Sequence, residues 1–501
     1  MTEPTTGAGT TALLCAPLLV PFAVAALGVV FGWRRPVAWG HVAAALSILA
    51  VGVAAGVRTA DGEALAVGDQ LRVDALSAVM LVVIGAVATV ATWSGSTFQN
   101  DELALGRATP RSAQRFAFLL PIFLAAMASA VMAANLGLMW AAIEATTVAT
   151  AFLVGQNRNR AGLEATWKYV VICSVGIALA YLGTVLVYFA SRHSGAGEGS
   201  LNWATLAADA ENLDPAVMRI AFALIVIGFG TKAGLIPLHS WLPDAHGQAP
   251  APVSALMSGV LLPVAIYALV RHRVLVGAVD PEFARNLLLV VGLGSAALAA
   301  SLLLVQRDYK RMLAYSSMEH MGLVAVGVAV GTPLALAAVL LHLLGHGLGK
   351  AVLFCGAGQL LQVNGSAKIA DLRALLVRTP ALGLVTALGL AALLGLPPFS
   401  LFASEIALAR AVALSGHEWV LAPIGLVLLV AFAAIGIRAS AMLLGPDDPA
   451  PAPAGTVRLR AGSRVAAAPL VVGLIALAAI GVVTWPLDDL LTTAAAIGAG
   501  S

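Results

Sequence analysis

Apolar residues run along this chain in blocks of roughly 18 to 25, each closed by a short polar or charged stretch. A block of that length, wound as a helix, crosses the roughly 30 Å of hydrocarbon in a bilayer. Fourteen blocks predict fourteen spans, near 11–33, 37–57, 75–94, 116–134, 136–154, 167–190, 217–236, 251–270, 285–305, 312–330, 333–361, 380–414, 419–444 and 466–486. The block 380–414 is too long for one straight helix. Gly395, Pro397 and Pro398 interrupt it, so it reads as two half-helices. The seventh block breaks in the same manner at Gly234 and Pro237. Backbone that leaves the helix at membrane depth survives only where protein or a water-filled cavity satisfies its polar groups. Two broken helices in separate halves of a chain point to an inverted repeat around an ion path. The expected fold is therefore an all-α polytopic membrane protein with inverted five-helix repeats. Residues 1–115 would hold spans 1–3, 116–272 the first repeat, 273–445 the second, and 446–501 a linker and the last span.

Composition agrees. The chain of 501 residues is 60% hydrophobic and 11% charged, with a mean hydropathy of +0.94, whereas a soluble domain carries about 25% charged residues. A net charge of +3 gives no case for nucleic acid as a partner. Cys15, Cys173 and Cys355 each stand alone in apolar sequence, a spacing that fits no zinc site, iron–sulfur cluster or disulfide framework. The stretch before Cys15 has no basic region, so a cleaved lipoprotein signal is not expected and the first span is kept. Neither the patch Gly195–Gly199 nor Gly228-Phe229-Gly230-Thr231-Lys232 has the context of a phosphate loop. Pro446–Gly455 reads as a flexible linker.

Basic residues gather in the odd-numbered loops, among them Arg34, Arg35, Arg107, Arg111, Arg158, Arg160, Lys168, Arg307, Lys310, Arg311, Lys368, Arg373, Arg458 and Arg460. The even loops carry acids such as Asp61, Glu63, Asp69, Glu198, Asp209 and Asp214. Basic loops stay cytoplasmic, so both termini are expected outside the cytoplasm of a cell (plasma or inner) membrane. Arg271, Arg273 and Arg285, in the predicted eighth loop, run against this trend.

Within the spans a few ionisable residues remain: Glu144, Lys232, Glu319, His320, His342, His346, Lys350 and Glu405. A charge at mid-bilayer costs about 2.5–3.5 kcal/mol on insertion scales, so each is a functional candidate. The competing reading is a structural ion pair that fastens two helices. Glu144 is mid-span in the fifth block, and Lys232 just precedes the break in the seventh. If adjacent, a lysine held between desolvation and a carboxylate could load and release a proton. His342, His346 and Lys350 recur every four residues and so share one helix face. Histidine titrates near neutral pH, which suits a relay. Glu405 follows the second break as a counterpart of Lys232.

The run Ala233–Arg271, with Thr231-Lys232 before it, resembles the signature of proton-conducting antiporter-like membrane subunits. These occur in respiratory complex I, Mrp cation/proton antiporters and group 4 hydrogenases. Asp308–Gly322, His342–Lys350 and Leu394–Glu405 resemble further motifs of that family, and Tyr315–Gly322 looks most like hydrogenase-4 component F. The resemblance covers about residues 115–410. It implies a glutamate–lysine pair at Glu144 and Lys232, a central polar axis at His342, His346 and Lys350, and an exit at Glu405. Glu319 and His320 would add a supplementary relay or a helix-packing hydrogen bond. Asp244 and His246 would help admit protons from the cytoplasm, with a capping role for Asp244 equally open.

One departure stands out. Many family members carry a lysine or histidine in the eighth span, where this chain has Met257 and Pro263. Ser254, Ser258, water and His239 would have to fill that gap. The chain stops soon after the last span, which suggests one of the shorter subunits. The expected function is proton translocation within a modular redox complex. No cofactor or metal is expected in this chain. Its partners would be other membrane subunits, peripheral redox subunits, lipid, and H+ or Na+. An Mrp-like antiporter, an inorganic-carbon-uptake subunit and a non-conducting structural anchor are the alternatives.

Overall fold

A computed structural model describes residues 5–156, 159–194, 199–446 and 464–500. Arg158, Glu198, Arg458, Arg460 and most of the two stretches Gly195–Gly199 and Pro446–Gly455 lie outside the described residues. Twelve helices among the described residues are long and apolar enough to cross a membrane, by length and composition. They begin with α1 (Ala8–Phe31), α2 (Arg35–Thr59), α3 (Ala75–Ala104), α4 (Pro110–Met132), α5 (Leu136–Val154) and α6 (Arg160–Arg192). A short α7 (Trp203–Ala208) precedes α8 (Pro215–Ala233) and α9 (Trp241–Gln248). Then α10 (Ala251–Leu256) and α11 (Leu262–Val279) are joined into one rod by a π-helical turn at Met257–Leu261. The next are α12 (Pro281–Leu303), α13 (Tyr309–Val330) and α14 (Pro333–Asn364). After the short α15 (Leu375–Arg378) come α16 (Pro380–Leu393), α17 (Ser400–Ala413), α18 (Leu421–Leu444), α19 (Arg464–Val482) and α20 (Asp488–Ala499). The pair α16/α17 and α19 bring the crossings to the fourteen that the sequence predicts. Helix α20 and a two-strand hairpin, β1 (Leu65–Val67) with β2 (Leu71–Val73), are additions to that reading.

The helix starts follow from local chemistry. Asp74, Thr109, Asn135, Asn159, Asp214, Asp280, Asp308 and Thr332 each accept a hydrogen bond from a backbone N–H of the first turn. Proline then occupies an early position in α4, α8, α12 and α14, where its missing N–H costs nothing. The rod Ala251–Val279 is enclosed except toward its C-terminal end and the apolar stretches of α13 and α14 are nearly so, while α1, α6 and α18 leave most of their apolar surface facing outward. The centre is thus built from the spans that carry the histidines. Both breaks are present: α8 stops at Gly234 and resumes as α9, and α16 stops before Gly395 and resumes as α17.

Three charges are placed differently from the sequence reading, because the spans run longer than the apolar blocks. Arg271 and Arg273 sit inside α11 rather than in a loop. Arg271, 4% exposed, donates to Asp74 at 2.7 Å, to Tyr267 Oη at 3.0 Å and to Ser77 Oγ at 3.1 Å. It is a neutralised structural charge, so it no longer opposes the loop-charge asymmetry. Lys310 is also no loop residue: it is 4% exposed and donates to the carbonyls of Gly247 and Ala249 at the end of α9. Removing one partner of a buried ion pair costs about 3–5 kcal/mol. Asp74→Ala is therefore expected to lower the melting temperature and the recoverable amount of the detergent-solubilised protein. Asp74→Asn, which still accepts a hydrogen bond, should cost less.

Candidate functional site

At the first break, Gly234 takes a left-handed conformation (φ 77°) that ends α8, and the Trp241 indole N–H caps the freed Thr231 carbonyl at 2.9 Å. Lys232, in the last turn, is fully buried. It makes no direct ion pair with Glu144. Lys232 Nζ donates at 2.5 Å to Thr147 Oγ1, and that hydroxyl donates at 2.8 Å to Glu144 Oε2. The hydroxyl is thus a one-way link, ammonium to hydroxyl to carboxylate. Tyr169 Oη lies 3.4 Å from Nζ and shares a 2.6 Å hydrogen bond with Thr150. Glu144 is half-buried, on a face of α5 where Val148 and Phe152 point outward.

On α14, His342, His346 and Lys350 form one buried stripe. Lys350 Nζ donates to the Leu313 carbonyl at 2.8 Å and to Ser316 Oγ, both on α13. His346 has neither ring nitrogen bonded to protein, and its ring lies 5.1 Å from that of His320. His320 Nδ1 meets His342 Nε2 at 3.0 Å, and His342 Nδ1 meets Ser404 Oγ at 3.0 Å. Ser404 uses its single proton on the Leu401 carbonyl, so it must accept from His342 Nδ1–H. Neutral His342 then presents a bare Nε2 to His320 Nδ1–H. This network assigns the tautomers. Glu319 Oε2 is 3.7 Å from His320 Nε2, and Glu319 Oε1 has no hydrogen-bond partner.

Glu405 closes the second break. Gly395 is left-handed (φ 62°), and a Cβ there would collide with the Glu405 carboxylate, so glycine is what lets the acid fold back over the break. A cavity of about 70 Å³ lies between Glu319, His320 and Glu405 on one side and α18 on the other. One water needs about 10–15 Å³ of such space, so several fit. Donor atoms of His320, His342 and Glu405 lie within 4.8 Å of one another, a set that could also hold a cation. The 3.0 Å His320–His342 hydrogen bond favours a shared proton there, since a metal would have to break it.

Met257 and Pro263 are buried and apolar, so neither side chain can carry a proton there. Ser258 Oγ and Ser317 Oγ are 2.7 Å apart, and Ser317 donates to the same Leu313 carbonyl that receives Lys350. His246 is enclosed: it is 0% exposed, bonded through Nδ1 to the Leu242 carbonyl, with Nε2 free. Its ring faces Trp241 on the Lys232 side and Phe354, one turn beyond Lys350, on the other. Ser254 Oγ is committed to the His246 carbonyl at 2.8 Å. His239 is half-buried in the break with Nδ1 free. Asp244 caps nothing; it joins Lys168 at 3.1 Å and Arg311 at 2.9 Å, fastening α9 to α6 and α13. Sequence reasoning did not find the Thr147 link, the Ser404 acceptor or the Ser258–Ser317 pair. It also missed Arg438, which caps the Leu304 and Gln306 carbonyls after α12.

These features define a class: a polytopic membrane protein whose buried titratable side chains run between two broken helices. Residues 133–431 match the family described as NADH:quinone oxidoreductase/Mrp antiporter, TM. The chain belongs to that family. It is 39% identical over 341 residues to a hydrogenase-4 component F homolog of Methylacidiphilum infernorum, covering 68% of this chain and 71% of that one. It is 32% identical to hydrogenase-4 component B of Escherichia coli, covering 67% of this chain but 50% of that longer protein. Its fold matches a chain of the membrane-bound sulfane sulfur reductase, an archaeal respiratory membrane complex (TM-score 0.82, 23% identity, 97% of each chain). It also matches a chain of the Mrp complex from Dietzia sp. (TM-score 0.84, 22% identity, 97% of each chain).

Proposed function

We propose that this chain translocates protons as a membrane subunit of a modular redox complex of the hydrogenase or complex I-like type. The observation that carries this is the buried relay. Hydroxyls and ring nitrogens stand at hydrogen-bond distance between ionisable groups at both breaks, with a cavity large enough for several waters beside Glu405. Neutral imidazoles and hydroxyls pass protons, whereas sodium favours a cage of oxygens. In this reading residues 116–272 and 273–445 are two repeats. Five crossings is an odd number, so the second enters from the opposite face. The basic loops lie in the cytoplasm of a plasma or inner membrane and both termini outside it. A neighbouring membrane subunit covers the outward face of α5 and α6 beside Glu144, and peripheral redox subunits supply the driving reaction.

The test is to isolate the chain with its co-purifying subunits, reconstitute them, and follow internal pH while the electron donor is supplied. Uncoupler-sensitive proton movement without sodium supports the proposal. Movement only in exchange for sodium favours an antiporter. A hydrogen bond to a charged group contributes about 1.5–3 kcal/mol. Thr147→Val, which keeps the shape of the side chain and removes the hydroxyl, is therefore expected to slow translocation by about ten- to a hundredfold at unchanged assembly. Thr147→Ser should restore most of the rate.

A further inference from the structure

The relay as described has no way in from the face of the basic loops. Span α3 continues past its apolar block to Ala104, which carries Gln99 and Glu102 to that face. There a small polar cavity, about 30 Å³, is lined by Gln99, Glu102, Arg107, Gln156 and Pro250. Gln99 is 1% exposed, and its amide nitrogen has no hydrogen-bond partner. Gln156 Oε1 on another wall has none either. An unsatisfied donor and an unsatisfied acceptor facing a void of this size mark a site for one or two waters.

The acid at its mouth is poised rather than locked. Glu102 accepts from Gln362 Nε2 at 2.9 Å, stands 3.9 Å from Arg107, and keeps 17% of its side chain exposed. On the inner wall, Pro250 follows Ala249, whose carbonyl receives Lys310 Nζ at 2.8 Å. Lys310 is near enough to feel the charge of Asp308 and, less strongly, that of Glu102, and among the described residues no carboxylate lies within 4 Å of its ammonium. The same Ala249 carbonyl accepts from Ser254 Oγ at 3.2 Å, and Ser254 donates to the His246 carbonyl at 2.8 Å. The water site, Glu102, Lys310 and the Ala249 and His246 carbonyls therefore form one polar seam that ends beside the His246 backbone.

We propose that this seam is the proton inlet, with Glu102 taking protons from the aqueous face and water passing them by Lys310 toward His246 and Lys350. The assignment rests on the translocation proposed above. Lys310 also fastens the end of α9, so the test is made at Glu102 and Gln99. Glu102→Gln keeps the acceptor for Gln362 and removes the proton carrier. In vesicles holding the assembled complex, its translocation rate should fall about tenfold, and Glu102→Asp should recover at least half of the loss. In parallel, Gln99→Cys should react with a small methanethiosulfonate ethylammonium reagent added at the basic-loop face, against the wild-type chain as blank. A wild-type rate in Glu102→Gln, or a Gln99→Cys thiol that stays unmodified from that face, overturns the inlet. Wild-type vesicles that move no protons, even where the Gln99→Cys thiol is modified, overturn the function itself and the inlet's role with it.

Discussion

Lys232→Ala is expected to reduce proton translocation by the assembled complex at least about a hundredfold, the low end of what a positioned proton carrier contributes. The reason is geometric. Lys232 is the only ionisable group in hydrogen-bond contact with Thr147 from the α8 side, and Thr147 is the only link to Glu144 seen among the described residues. Alanine removes the carrier and leaves a void where the aliphatic stem lay, so a loss of transport could be confused with a loss of fold. Lys232→Met separates the two. It keeps an apolar stem of similar length and removes only the ammonium, which lies 5.2 Å from the centre of the Tyr169 ring. Both variants should lose transport, and Lys232→Met should keep assembly and electron transfer by the complex. Measuring the rate of vesicle acidification per assembled complex checks this.

Lys350→Met is expected to uncouple stability from transport in the other half. Among the described residues no carboxylate lies within 4 Å of Lys350 Nζ; its partners are the Leu313 carbonyl and Ser316 Oγ. An ammonium buried with no carboxylate in direct contact is a liability for folding, and Glu319 acts on Lys350 only from a distance. Its removal strands little, because Leu313 still receives Ser317 Oγ and Ser316 still bonds the Leu313 carbonyl. The melting temperature should therefore hold or rise while translocation falls by about two orders of magnitude. A side chain retained only to fasten helices would show the reverse pattern, with lower stability and intact transport. A thermal-shift curve and an acidification trace on the same preparation distinguish the two.

Much of this architecture was legible in the chain because membranes punish ambiguity. Apolar blocks, capping residues and the Gly–Pro interruptions at Gly234 and Gly395 each have one structural meaning at membrane depth. The ionisable residues stood out for the same reason, since hydrocarbon tolerates so few. The connecting atoms did not. Thr147, Ser404 and Ser317 look like ordinary helix hydroxyls, and such hydroxyls bond their own backbone in most helices. Only the reach of Lys232 from α8 to α5 and the packing of α17 on α14 reveal what else they touch. The burial of His246 was not legible either: Asp244 faces Lys168 and Arg311 while the imidazole two residues on points inward. Arg271 and Lys310 were treated as loop charges, since apolar blocks end before helices do. Helix ends extend past the hydrocarbon, and there a charge can be buried by neighbouring helices without entering lipid.

The central claim is that both ends of one buried row must be intact for protons to cross. The most direct measurement is the number of protons moved per electron pair by the reconstituted complex in sodium-free medium, wild type beside the Lys232→Met/Glu405→Gln double variant. The account predicts that the double variant keeps turning over its electron donor while its proton ratio falls by this subunit's entire share. An unchanged ratio in the double variant would contradict it.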